Sequence, residues 1–329
     1  MTFSVIIPNR NGAATLDNTL KAIFAAGYRD LEVIVADDAS TDGSPSLAAR
    51  YPVKLLRQKS CRGAAPTRNT GAAAATGEIL VFIDNDVIIP PDTFKILEGR
   101  FRDPEVSGVI GLLQPLTRYP NLCSQYKNFY MHYTYLQLPR WVSVFYTSLA
   151  SIRREVFEEC GGFDSSYRSA TIEDMEFGVR LTGRGYKLLL EKRLQVDHQR
   201  YYSLAGLLRT GFRRAAGLTK IALRDRLRRE KKTSYVTTSR SFLAGIVLSW
   251  LVVIFLIAGP FFLSSFWPLL AGSAYLILIA LNFRFILEFS RRTRPAFFPL
   301  SCGLILIDLF THGCGTVYGL LTFCRGQKY

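Results

Sequence analysis

The sequence lacks several patterns that identify common protein classes. It contains six cysteines and no CxxC pair, which argues against a zinc ribbon and a disulfide framework. The first predicted strand is not followed by GxGxxG, and GxxxxGK[ST] does not occur, so the dinucleotide-binding and P-loop patterns are both missing. With 49% hydrophobic residues, the chain is too apolar to be disordered. These absences predict a folded protein with reduced, structural cysteines.

Acidic residues are scarce in the second part of the chain. Residues 1–199 hold 23 Lys and Arg against 22 Asp and Glu, whereas residues 200–232 hold 11 against 2. Much of the net charge of +15 therefore lies in one short stretch before a hydrophobic tail. We interpret residues 200–239 as basic amphipathic interface helices that contact anionic membrane lipids, and we expect no nucleic-acid partner.

Long uncharged runs occupy residues 240–329, which we predict to be a membrane domain. Residues 242–263 carry no charge and would extend about 33 Å as a helix, enough to cross a bilayer. A second uncharged run covers residues 266–283 and extends to 289 if Arg284 and Glu288 lie at the interface, and Ser264-Ser265 mark the break between the two runs. The pattern predicts a transmembrane hairpin.

The third apolar segment, residues 297–323, is ambiguous. It carries Asp308 and His312, and it is compatible with a span, a re-entrant segment or an interfacial helix. Basic residues flank the hairpin on both sides, in the 200–232 stretch and in the 291–294 loop. By the positive-inside rule, the chain is a multi-pass protein of the inner or cell membrane whose N-terminal domain is cytoplasmic.

Residues 1–199 alternate short apolar runs with amphipathic stretches. Helical patterns separate the runs, so we predict an α/β domain with a doubly wound, mixed but mostly parallel sheet. The predicted strands are Phe3–Pro8, Glu32–Asp37, Val53–Arg57 and Ile79–Asp84. Ligands of such sheets bind where the strands end, which directs attention to Asp37-Asp38 and Asp84-Asn85-Asp86.

The carboxylates at these strand ends suit particular chemistry. Asp84 and Asp86 are two residues apart and could hold a divalent cation that bridges substrate phosphates. Asp37 and Asp38 could accept hydrogen bonds from a nucleotide base. Each pair also has a plainer interpretation as surface-turn or helix-capping carboxylates. A phosphatase-like site, with Asp84 as nucleophile and Asp86 as acid/base, is a further alternative.

Five segments together resemble the inverting glycosyltransferases of family 2, which have the GT-A fold. They are FSVIIPNRN, VIVADDASTDGS, GAAPTRNTGAAAATGEILVFIDND, RREVFEECGGFD and IEDMEFGVRL, in the family's order. The resemblance covers residues 3–198 and implies that residues 1–199 are a GT-A catalytic domain that binds a nucleotide sugar. The sequence departs from the family's pattern before Gly63, where Ser60-Cys61-Arg62 replace the usual Asn.

The resemblance also implies site residues. Asp174 would be the catalytic base and Glu173 would position the acceptor, although carboxylates in a first helical turn also suit the helix dipole. His198 would be a third metal ligand, or else a satisfied loop histidine beside Asp197. Mg²⁺ or Mn²⁺ would be the cofactor. The implied donor-binding residues are Pro8, Asp37, Asp38, Arg68, Asp84 and Asp86, and the implied metal ligands are Asp84, Asp86 and His198.

The implied reaction moves one sugar from a nucleotide diphosphate sugar, with a UDP-sugar favoured. A general base is needed for a hydroxyl acceptor and not for an anionic phosphate, so the Glu173-Asp174 pair favours a hydroxyl of a lipid-linked or membrane-associated acceptor. The alternatives are a polyprenyl-phosphate glycosyltransferase resembling dolichol-phosphate mannose synthase, and a non-catalytic membrane-anchored sugar-binding module. A glycolipid or polysaccharide pathway would use such an enzyme.

Overall fold

A computed structural model describes residues 1–167, 172–227, 240–262 and 266–327. The described residues form two compact units. We call them the sheet unit, residues 1–118 and 131–200, and the helical unit, residues 119–130 together with the described residues from 201 onward.

The elements of the chain follow the alternation seen in the sequence. The strands are β1 (Phe3–Asn9), β2 (Leu31–Asp37), β3 (Lys54–Arg57), β4 (Ile79–Phe82), β5 (Val87–Ile88), β6 (Gly108–Leu113), β7 (Trp141–Val142), β8 (Ala150–Arg153) and β9 (Leu188–His198). The helices are α1 (Leu16–Ala25), α2 (Ser44–Ala48), α3 (Ala64–Ala73), α4 (Thr93–Phe101), α5 (Leu122–Leu136), α6 (Arg154–Glu159), α7 (Glu173–Gly183), α8 (Leu204–Leu227), α9 (Arg240–Phe262), α10 (Phe266–Arg292) and α11 (Phe297–Cys324).

The strands form a mixed sheet in the order β3-β2-β1-β4-β8-β6-β9-β5, with β7 paired to β9. Strands β3, β2, β1 and β4 are mutually parallel, and β8 runs antiparallel between β4 and β6. This arrangement confirms the predicted fold class. Two details differ, because β3 is a partly exposed edge strand and the last predicted strand ends at Phe82 rather than Asp84.

Apolar residues fill the space between the sheet and its helices. Val5, Ile6 and Ile7 of β1 are fully buried, as expected for a strand covered on both faces. An aromatic cluster packs beside β4, with ring centroids 4.8–6.0 Å apart. It consists of Phe82, Phe145, Phe157, Phe163 and Phe177. The cluster anchors α6 and α7 and so fixes the start of α7, where Glu173 and Asp174 lie.

The helical unit contains the three helices that are long and apolar enough to cross a membrane. These candidate spans are Ser241–Gly259, Phe266–Arg292 and Phe297–Cys324. The predicted break at Ser264-Ser265 lies outside the described residues. Of the predicted interface helices over residues 200–239, the structure describes one, α8, and residues 228–239 also lie outside the described part.

The first half of α5 belongs to the helical unit. Tyr126 and Phe129 of this half are about 1% exposed. Their rings lie 5.6–6.1 Å from those of Phe285 and Phe289 on α10. The aromatic stripe of α5 is therefore core packing in the helical unit, which is the usual role of residues at helical spacing.

Candidate active site

A pocket of about 450 Å³ opens at the carboxyl ends of the parallel strands. Its lining residues are Pro8, Asn9, Arg10, Asp38, Gly63, Ala64, Thr67, Arg68, Asp84, Asn85, Asp86 and Arg200. Because β1, β2 and β4 are parallel, the residues that follow them meet at one edge of the sheet. Five of the predicted site residues, Pro8, Asp38, Arg68, Asp84 and Asp86, therefore line one pocket.

Asp37, which the sequence predicted to bind the donor, does not line this pocket. Its side chain is fully buried. The carboxylate accepts hydrogen bonds from Asn9 Nδ2 at 2.9 Å and from the backbone N–H of Ser40 at 3.1 Å. Successive side chains at a strand end point to opposite sides, so Asp37 is directed into the protein while Asp38 reaches the pocket. We assign Asp37 to holding the ends of β1 and β2 together.

Asp38 lines the pocket and also organises the turn before α3. Its two oxygens accept hydrogen bonds from the N–H groups of Arg62 at 2.7 Å and Gly63 at 3.0 Å. The Cys61 thiol lies 3.2 Å from the same carboxylate. A carboxylate offers about four acceptor sites, so one remains available for a ligand. The sequence departure at residues 60–62 thus sits against the residue implied to bind the base.

Asp84 and Asp86 lie close enough to influence each other's ionisation. Burial raises the pKa of Asp84; the positive charge of Arg68 opposes this, and repulsion from Asp86 adds to it. For Asp86, burial alone would raise the pKa, but attraction to His198 outweighs it and the pKa is lowered. Two neighbouring carboxylates pushed apart in pKa mark a candidate functional site.

Arg68 joins the two halves of the candidate site. Its Nη2 donates to Asp84 Oδ1 and its Nη1 donates to Glu173 Oε1, both at 2.8 Å. The Arg68 side chain is 5% exposed, and its guanidinium carbon lies 5.7 Å from the ring centre of Phe163. Although burial alone would lower the pKa of Arg68, the two carboxylates raise it. The guanidinium of this pocket-lining residue is thus paired with two carboxylates.

Glu173 and Asp174 begin α7, as the sequence pattern predicts. Glu173 is buried and Asp174 is half-buried. Asp174 Oδ1 accepts a hydrogen bond from the backbone N–H of Met175 at 2.8 Å, and its charge acts on Arg68. Two carboxylates of one helical turn are thereby tied electrostatically to the pocket through Arg68.

His198 ends β9 and lies beside Asp86. Its Nε2 is 3.4 Å from Asp86 Oδ1, and the imidazole is about 10% exposed. The antiparallel pairing of Val87 with His198 brings the two side chains together, since Asp86 directly precedes Val87. The histidine is therefore a strand residue that contacts the predicted metal-binding pair.

The oxygen donors of the pocket suit a hard divalent cation. Asp84 and Asp86 provide carboxylates, and their mutual repulsion would be relieved by a cation. Within residues 1–167, 172–227, 240–262 and 266–327, three His, Cys, Asp or Glu side chains do not come together in a group that could hold a metal. Mg²⁺ commonly completes its coordination with water and substrate phosphates, so a two-carboxylate site fits such an ion.

The sequence assigned no role to several residues of the pocket. Asn85 Nδ2 donates to Asn9 Oδ1 at 2.8 Å and links the ends of β4 and β1. Arg200 lines the pocket and attracts Asp86. Strand-end position indicated Asn9 and Asn85 without showing what they do. Arg200 comes after β9, and nothing in its local pattern indicates the pocket.

The sequence matches the family described as "Glycosyl transferase family 2" over residues 4–161. The chain is 29% identical over 204 residues to the pre-mycofactocin glycosyltransferase of Mycobacterium tuberculosis, which covers 59% of this chain and 42% of that relative. The matching part of this chain therefore spans about two fifths of that relative's length. The glycosyltransferase AglE of Haloferax volcanii is 26% identical over 272 residues, covering 80% of this chain and 84% of that relative.

Solved structures share the fold. A mannosyltransferase from Pyrobaculum calidifontis superposes with a TM-score of 0.61 at 22% identity, over 96% of this chain and 87% of that one. TarS from S. aureus superposes with a TM-score of 0.51 at 16% identity, over 99% and 92% of the two chains. From these matches and the pocket at the strand ends, the chain resembles glycosyltransferase family 2 over residues 4–161 and has a GT-A-like fold.

Proposed function

We propose that this protein transfers one sugar from a nucleotide diphosphate sugar to a hydroxyl of a lipid-linked or membrane-associated acceptor, with inversion at the anomeric carbon. The observation that carries the proposal is the Arg68 bridge, with both contacts at 2.8 Å. It connects Asp84 of the proposed donor pocket to Glu173, the neighbour of the proposed base Asp174 on α7. The proposed donor-binding and base-bearing elements would thereby be held at one site.

The donor would occupy the pocket of Pro8, Asp38, Asp84 and Asp86. Asp84 and Asp86 would hold Mg²⁺ or Mn²⁺, which stabilises the charge that develops on the leaving diphosphate. His198 would orient Asp86 or serve as a further ligand. The Pyrobaculum calidifontis enzyme was solved with GDP-Man and Mn²⁺, and TarS with UDP-GlcNAc, so relatives in fold accept donors with different bases.

Asp174 would remove the proton of the acceptor hydroxyl, and Glu173 would keep α7 in register with the donor through Arg68. An attacking hydroxyl must lose its proton, so a half-buried carboxylate near the donor is the group this reaction requires. A polyprenyl phosphate needs no such base. The activity of an Asp174 variant would therefore distinguish a hydroxyl acceptor from a phosphate acceptor.

The hairpin of α9 and α10 would cross the bilayer, with the sheet unit in the cytoplasm. Basic residues lie at both chain ends of the hairpin, at Arg240 and at Arg291-Arg292. This placement would bring the pocket to the cytoplasmic face, where nucleotide sugars are available and lipid-linked acceptors present their headgroups.

The test is release of nucleotide diphosphate by the purified full-length protein. A panel of UDP-, GDP- and TDP-sugars is supplied with Mn²⁺ and a membrane-lipid extract as acceptor. We expect release with one donor class, loss of release in Asp86→Asn, and normal release in Asp92→Asn, the same change at an exposed position outside the pocket. Binding of a donor with no release under any of these conditions would instead support a sugar-binding module.

A further inference from the structure

The third long helix, α11, has neighbours that restrict its position in the membrane. It contains 28 residues with a mean hydropathy of 1.5, so length and composition alone allow it to cross. Its contacts within the helical unit determine which other residues lie at the same depth.

The second half of α11 packs tightly against α8. A Cβ atom at Gly315 would lie 2.3 Å from the backbone oxygen of Phe212, and one at Gly319 would lie 2.5 Å from that of Ala216. The rings of Phe212 and Tyr318 are 5.3 Å apart. Residue numbers rise together along both helices, so the two run parallel. This part of α11 therefore lies at the depth of α8.

Helix α8 is too basic to lie in the hydrocarbon. Its 24 residues include six Lys and Arg, and the side chains of Arg209 and Arg213 are exposed. An arginine at the centre of a bilayer is strongly unfavourable, and α8 would carry at least two there. Near anionic headgroups an arginine is instead favourable. The interface is therefore the stable position for α8 and for the part of α11 packed on it.

The middle of α11 lies at the end of the hairpin where α9 begins and α10 finishes. The Tyr126 hydroxyl lies 3.3 Å from Asp308 Oδ2, and the Tyr126 ring is 5.6 Å from Phe285 near the end of α10. The His312 ring is 5.4 Å from Phe242, near the start of α9. These contacts bring the two ionisable residues of α11 to the membrane boundary rather than to the bilayer centre.

The start of α11 lies at the same end of the hairpin. The ring of Phe297 is 6.1 Å from that of Phe289, which lies three residues before α10 ends at Arg292. From Phe297 to His312 a helix advances about 22 Å, less than the roughly 30 Å of a hydrocarbon core. A helix whose start and middle both lie at one end of the hairpin does not reach the other.

We propose that α11 does not cross the bilayer. It lies across the end of the hairpin where α9 begins and α10 finishes, and with α8 it forms a two-helix layer in the membrane interface. Exposed apolar side chains of α11, including Val317, Leu320 and Leu321, then enter the boundary between headgroups and acyl chains. Among the described helices, α9 and α10 cross the membrane, and α11 ends on the side of the membrane from which α9 starts.

Native cysteines provide the test. Cys61 in the sheet unit and Cys324 at the end of α11 are both exposed. Two full-length variants each keep one of them and carry serine at the other five positions. Phe266→Cys in a cysteine-free background marks the opposite end of the hairpin. Sealed inside-out and right-side-out vesicles are treated with a membrane-impermeant maleimide, and the labelled fraction is measured in each.

We expect Cys324 to react in the same vesicle orientation as Cys61, and position 266 to react in the other. Reaction of Cys324 together with position 266 would overturn the proposal. If Cys324 reacts only after detergent is added, Gln327→Cys, three residues further and also exposed, gives the side by the same comparison. The result does not depend on activity, so it is independent of the proposed reaction, and the absolute orientation of Cys61 separately tests the cytoplasmic placement.

Discussion

Removal of the Arg68 guanidinium is the perturbation whose cost follows most directly from the structure. Arg68→Met keeps an unbranched side chain of about the length of the arginine's aliphatic stem and leaves two carboxylates without their cation. Breaking a buried ion pair by removing one partner costs about 3–5 kcal/mol. Glu173 is 4% exposed but Asp84 is 27% exposed and can regain water, so we place the loss near the lower end, at about 3 kcal/mol.

The assay is thermal unfolding of the purified protein. At roughly 2–4 °C per kcal/mol for a domain of this size, Arg68→Met should lower the Tm by about 6–12 °C. The matched control is Arg57→Met, because Arg57 is 58% exposed and lies 3.7 Å from Asp37. Because the Arg57 side chain is exposed and the separation is long, we expect this pair to contribute only about 0–1 kcal/mol.

A double variant separates the ion pair from simple packing. Combining Arg68→Met with Glu173→Gln removes the unpaired buried charge, so it should recover part of the lost stability. The reasoning is refuted if Arg68→Met melts no earlier than Arg57→Met, or if the double variant is additive.

Three further predictions concern the site and its supports. Asp84→Ala should abolish transfer, and EDTA should do so reversibly in the wild type; release of nucleotide diphosphate measures both, and full activity in chelator contradicts the metal role. Gly12→Ala places a Cβ 2.2 Å from Asn85 Nδ2 and should cost about 1–3 kcal/mol, whereas Gly99→Ala, with open space around it, should not destabilise; urea unfolding compares them. Burial alone would raise the pKa of Glu32, but hydrogen bonds from Ser4 and the Thr76 N–H lower it below 4.5. The stability that the Glu32 carboxylate contributes is therefore present above pH 4.5 and is lost as the pH falls. Glu32→Gln should be less stable than the wild type at neutral pH and equally stable in acid, and a difference that stays constant with pH would contradict this.

Much of the fold could be predicted because its signals are local. Buried parallel strands produce continuous apolar runs, and β1 and β2 match the predicted strands within a residue at each end. The position of Asp38, Asp84 and Asp86 at strand ends likewise predicted that they lie at a ligand site, and all three line the pocket. The antiparallel insertion of β8 between β4 and β6 could not be predicted in this way, because it depends on pairing between residues far apart in sequence.

The roles of individual site residues were harder to predict. Asp37 and Asp38 are equivalent in the sequence, and only side-chain direction separates the buried residue from the one that lines the pocket. The Arg68–Glu173 contact joins residues 105 positions apart, so no local pattern could reveal it.

Asp174→Asn tests the central claim most directly. The change keeps the size of the side chain and removes the proton acceptor, while Asp38, Arg68, Asp84 and Asp86 remain. General-base catalysis contributes ~10²–10⁴-fold, or about 3–5 kcal/mol of barrier. Donor affinity and turnover are measured side by side, with Glu176→Gln on the same helix as the control. We predict unchanged donor affinity and a turnover that is lower by at least ~10²-fold. Unchanged turnover would contradict a hydroxyl acceptor activated by Asp174.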